Sequence, residues 1–133
     1  MPTTRITIIR TRHPVKTSLN DDLQWLCQSL GLFSERDKDK SLFRIFVELL
    51  KSTRHKLPLT SDTLALRTGL SRGTVVHHIN KLISSGLVIH EKGYYLIRVE
   101  NLEALIDEIE GDISLTLEHM RAIAKKIDEA LGL

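Results

Sequence analysis

The chain has 133 residues, 41% hydrophobic, 27% charged and 5% aromatic, with a single cysteine and a formal charge of +2. That length and apolar content suit one globular domain and exclude global disorder. No apolar run approaches the ~20 residues of a membrane helix, residues 1–19 lack the apolar stretch of a secretory signal, and a lone Cys27 builds no internal disulfide, so a cytoplasmic setting is expected.

Around Ile6, Ile8 and Ile9, residues 5–11 alternate as a short strand would, and His13-Pro14 breaks it. Asn20 is the expected N-cap of a first helix, with Asp21 and Asp22 in its first turn, an apolar face of Leu23, Leu26, Cys27 and Leu30, and Gly31 as its end. The charged run 34–40 reads as a loop or a helix start. A second helix over 41–54 carries Leu42, Ile45, Phe46, Leu49 and Leu50, and Pro58 follows it. Thr60 or Ser61 caps a short third helix that Gly69 closes, and Ser71 caps a fourth over 72–85, ended by Gly86. Two strands, 87–90 and 94–99, join at Glu91-Lys92-Gly93. Asn101 then caps a long helix to about residue 131.

The stretch 63–88 carries the chemistry. Ala65 is a small residue inside one helix, Gly69 supplies the left-handed turn, Leu70 plugs the inter-helix angle and Ser71 caps the next helix. Val75, Ile79 and Leu82 form that helix's buried stripe, with His78 on its margin, where packing or a backbone hydrogen bond is expected. The opposite face holds Arg72, Gly73, Thr74, His77, Lys81 and Ser84, and no acid occurs from Leu64 to His90. The net charge conceals this segregation. It is +4 over 1–18, −2 over 19–50, +6 over 51–98 and −6 over 99–133, so the basic middle points to an anionic partner.

Leu64-Ala65, Gly69-Leu70-Ser71, Thr74-Val75, His78, Leu82 and Gly86-Leu87-Val88 resemble the winged helix-turn-helix of ArsR- and MarR-type prokaryotic transcription regulators. The resemblance extends from about residue 60 to 98 and implies an α+β, mostly helical fold. It also implies that the helix over 72–85 enters the major groove of double-stranded DNA, with the wing over 87–98 on the neighbouring backbone or minor groove. Gly73 departs from the pattern at a cost of up to ~1 kcal/mol; it either lets the sugar-phosphate backbone approach or is a tolerated surface glycine.

The expected DNA-contacting residues are therefore Ser71, Arg72, Gly73 and Thr74 at the helix start, then His77, Asn80 and Lys81 along its outer face. Lys92 at the wing tip and Arg98 at its base complete the set. The competing reading is a winged-helix protein-interaction module of a transcription or other multisubunit assembly. Tyr94 and Tyr95 fall in the wing, which leaves no stacking platform for single strands and favours duplex.

In the acidic C-terminal segment, Leu102, Ile106, Ile109, Ile113, Leu117, Met120, Ala124, Ile127 and Leu131 recur at about 3.6 residues, the period of a straight amphipathic helix. Thirty residues reach ~45 Å, beyond the span of so small a domain. Homodimerisation through Ile106, Ile109, Ile113, Leu117, Met120 and Ile127 is expected, against the alternative of folding back on the helix at 20–30. Gly111 is a candidate bend.

No phosphate loop, His-Glu-x-x-His or Gly-x-Ser-x-Gly is present, and Cys27 reads as a buried thiol, so no enzyme and no cofactor are expected. Metal sensing lacks its cysteine pair, and Asp112, Glu118 and His119 do not converge at their spacing. Strand 5–11 and helix 42–54 frame a candidate pocket for a small-molecule effector with the last helix, though nothing in them names a ligand. The organisation read from the sequence is a supporting part over 1–58, the helix-turn-helix and wing over 59–99, and the dimerisation helix over 100–133, all within one domain.

Overall fold

The computed structural model describes residues 3–13, 15, 18–33 and 40–133. Most of the charged run at 34–40 lies outside the described residues, as does Pro14. Among the described residues, five helices and one two-stranded antiparallel sheet follow in the order α1 (Leu19–Ser29), α2 (Ser41–His55), α3 (Ser61–Thr68), α4 (Arg72–Ser84), β1 (Val88–Glu91), β2 (Tyr94–Ile97) and α5 (Leu102–Leu131). This is the mostly helical winged helix-turn-helix expected, with a long last helix.

One apolar cluster joins these elements. Cys27 and Leu30 enter from the α1 end, Ile45, Phe46 and Leu49 from α2, Leu64 from α3, Val75, Ile79 and Leu82 from α4, and Leu105 and Ile109 from α5. Phe46 and Ile45 are among the largest fully buried side chains, which sets α2 at the centre. Its period-3.6 pattern is why it packs against α3, α4 and β2 at once.

One boundary differs from expectation. The cap of the first helix is Ser18 rather than Asn20. Ser18 Oγ accepts from the Asp21 amide at 3.1 Å while the Ser18 amide donates to Asp21 Oδ2 at 3.3 Å, a reciprocal cap that Asn20 lacks the spacing to form. Gly111 produces no break in α5.

The N-terminal strand is the larger correction. Residues 3–13 form neither strand nor helix and belong to no sheet. No strand runs beside them; instead the Arg5 amide donates to the Ser84 carbonyl at the end of α4, and the Ile9 amide to the Ser29 carbonyl at the end of α1, each at 2.7 Å. Helix C-termini offer unpaired carbonyls, so the arm satisfies them without a ladder. Thr7 closes on Gly31, where an added Cβ would sit 2.7 Å from the threonine methyl and push it aside, and where φ of +75° already favours glycine. The Trp25 indole donates to the Thr11 carbonyl and meets the His13 ring edge-on.

Candidate nucleic-acid interface

The helix-turn-helix is assembled by local hydrogen bonds before any packing is counted. Thr60 Oγ1 accepts from the Thr63 amide at 3.1 Å and starts α3. The buried Thr68 hydroxyl donates to the Leu64 carbonyl at 2.6 Å, and Gly69 takes φ +72° to end the helix. Ser71 Oγ accepts from the Thr74 amide at 3.2 Å and starts α4 two residues later. Arg44 of α2 donates to the Thr68 carbonyl and ties the end of α3 to the core.

With Val75, Ile79 and Leu82 fully buried, the rotation of α4 is set. Arg72, Gly73, His77, Asn80 and Lys81 are exposed on the other side, and Ser71 is exposed at its start. Thr74 is half-buried, its hydroxyl accepting from Ser71 Oγ at 2.8 Å. His78 is buried, as its position on the stripe's margin implied. Asp62, in the first turn of α3, approaches Arg72 Nε at 3.5 Å; both side chains remain largely exposed. An ion pair of that kind is weak in water.

The wing follows directly. Val88 faces Ile97 and Glu91 faces Tyr94, leaving a two-residue turn at Lys92-Gly93 with φ of +51° and +84°. Positive φ at both positions matches the twist of a hairpin and presents the exposed Lys92 at the tip. Leu59 adds an isolated bridge to Tyr95, and the His90 and Tyr95 rings stack with centroids 4.4 Å apart.

Arg98 stands apart from this surface. Its guanidinium turns to α5, where Nη1 donates to Asp112 and Nη2 donates to Glu108 at 3.0 Å. The Asp112 hydrogen bond raises the Arg98 pKa further and holds the Asp112 carboxyl below its ordinary value. The structure thus brings Ser71, Arg72, Gly73, Thr74, His77, Asn80 and Lys81 onto one helix face, sets Lys92 at the wing tip, and places Arg98 in a latch between wing and α5. Glu108 and Asp112, four apart on one helix face, were the sequence signal for that latch.

The dimerisation set also divides. Ile109 is 3% exposed, sealed into the protein's own core beside Leu105, and Ile113 is half-buried. Ile106, Leu117, Met120 and Ile127 are exposed. The arm residues Thr4, Ile6 and Ile8 line a groove of about 340 Å³ with Ile113, Thr116 and Leu117 of α5. Helix α2 takes no part in it, so the pocket expected between residues 5–11, α2 and the last helix has two walls rather than three.

Residues 26–108 match the Crp-like helix-turn-helix domain. The chain belongs to that family. Its match runs from α1 into α5 and includes every element of the DNA-facing unit, which makes this Crp-like chain a helix-turn-helix transcription regulator whose partner is DNA. Comparison with curated proteins and with solved structures finds no match. Among the described residues of this Crp-like domain, no helix is long and apolar enough to cross a membrane, and no group of three His, Cys, Asp or Glu side chains could hold a metal ion.

Proposed function

We propose that the chain binds double-stranded DNA sequence-specifically as a homodimer and controls transcription, in the manner of the ArsR- and MarR-type winged helices it resembles. Helix α4 lies in the major groove and the β1–β2 wing on the adjacent backbone or minor groove. The observation that carries this reading is the exposed face of α4, where Arg72, His77, Asn80 and Lys81 project with no carboxylate on the same helix. A duplex repels acids and attracts cations by counterion release, so such a face has an evident polyanionic partner. Ser71, Arg72, Gly73 and Thr74 meet phosphate at the helix start, and His77, Asn80 and Lys81 reach base edges. Lys92 contacts backbone from the wing, and Arg98 supports that contact by holding the base of the wing to α5.

Fluorescence anisotropy with genomic fragments across a salt series tests the reading. The logarithm of affinity is expected to fall steeply with log salt, and an affinity that ignores salt overturns it. Arg72→Ala with Lys81→Ala is expected to weaken binding and to reduce the salt slope by about 1 for each phosphate left without its cation. Unchanged binding by that double variant means a different face meets DNA.

A further inference from the structure

Burial in α5 stops abruptly. Leu105 and Ile109 are in the core and Asp112 and Ile113 are half-buried, whereas every residue from 114 to 133 is exposed. The helix nevertheless continues to Leu131. Met120, Ile123 and Ile127 extend the stripe that begins with Leu102, Leu105 and Ile109, so the same face leaves the domain and runs uncovered for about 27 Å.

The charges of α5 are as uneven as its burial. Residues 102–112 contain Glu103, Asp107, Glu108, Glu110 and Asp112 and no base, whereas beyond them Arg121, Lys125 and Lys126 form an acid-free cationic stretch over 121–126, flanked by Glu118 on one side and Asp128 and Glu129 on the other. A parallel pair would set acid against acid over the first half. An antiparallel pair sets each acidic half beside the basic stretch of the other copy. At 100° per residue, Glu110 and Arg121 flank the apolar stripe on one side and Glu108 and Lys126 on the other. Both combinations place the crossing at nearly the same point, close to Thr116 and Leu117. Those two residues line the groove with Thr4, Ile6 and Ile8.

We propose that two copies pair through antiparallel α5 helices crossing near Leu117, each overhang seating against the partner's N-terminal arm and the exposed edge of its α5. The dimer so formed rests on the homodimeric reading above and adds its orientation, its register and a structural role for the arm. Each arm is thereby held from both sides, by the carbonyl ends of α1 and α4 in its own chain and by the partner's Met120–Ile127 face.

The full-length protein tests this directly. Glu110→Cys and Arg121→Cys change exposed positions outside the core. When the two variants are mixed and treated with a short bismaleimide, a covalent dimer is expected from the mixture and little from either variant alone. In the antiparallel register each introduced thiol lies about 16 Å along the axis from its own copy. Cross-linking of each variant with itself signifies parallel pairing and overturns the proposal. Sedimentation at micromolar concentration is expected to show a dimer that dissociates several-fold more readily in high salt, and to a lesser degree with Ile8→Ser. A monomer overturns the pairing. If that monomer still binds DNA with a steep salt slope, the pairing alone has failed and the DNA reading stands.

Discussion

Gly73 and Cys27 show how much a single position can say once its surroundings are known. No atom lies within 4 Å of a Cβ built on Gly73, and its φ is not positive, so nothing inside the protein requires glycine there. Gly73→Ala is therefore expected to raise stability by roughly 0.5–1 kcal/mol in thermal unfolding. If the bare backbone is there to approach phosphate, the added methyl also lowers DNA affinity, and a stabler protein with unaltered affinity takes Gly73 off the contact surface. Cys27 is buried, and desolvation pushes its thiol from 9.0 up to about 12. It is expected to resist thiol reagents in the native state at neutral pH and to react on unfolding. The sign for stability follows: below pH 9 the thiol is neutral in both states, and between 9 and 12 the unfolded chain ionises first, so stability declines with rising pH across that window.

Among the elements, the Arg98 latch ties the base of the wing to α5, and the caps at Thr60 and Ser71 start the two helices of the helix-turn-helix. Arg98 joins the end of β2 to α5 through Glu108 and Asp112. Removing it with Arg98→Ala is expected to cost about 1 kcal/mol at most, because the partners remain partly in water. Faster amide exchange in β1 and β2 is the more sensitive readout. Asp112 has a folded pKa below its ordinary value, so the contribution is present above the unfolded carboxylate pKa and is lost as pH falls through the folded one. Protection of the wing amides, taken relative to their intrinsic exchange rate at each pH, should therefore fall only in acid, as Asp112 takes up its proton. The elements themselves were legible in advance where caps and period agree: Ser71 and Asn101 cap α4 and α5 as read from the chain, and of the two candidates Thr60 and Ser61 it is Thr60 that caps α3. The arm was not, because alternation in residues 5–11 marks an extended backbone but cannot say whether another strand or a helix end receives its amides.

For the whole molecule, the uncovered half of α5 is the dominant fact. Every buried core residue lies at or before Ile109, so a chain ending after Leu117 retains its core. That truncation is expected to keep its fold, to unfold below the wild-type temperature by the stability that pairing adds, and to sediment as a monomer. It is also expected to lose far more affinity for a two-fold DNA site than for an isolated half-site, since a dimer gains by engaging both. Loss of the fold on truncation would show that the overhang stabilises its own chain.

The helix-turn-helix, its caps, the buried stripe of α4 and the acid-free face opposite were all readable from residue order alone, because they depend on residues a few positions apart. So were the amphipathic character of α5 along its full length and the balance of opposed regions behind +2. Three features emerged only when the chain was folded: which half of the α5 stripe enters the core, the latch of Arg98 with Glu108 and Asp112, and the closing of the arm on the ends of α1 and α4. Each depends on which surfaces meet in space, and periodicity records which face is apolar but not what covers it.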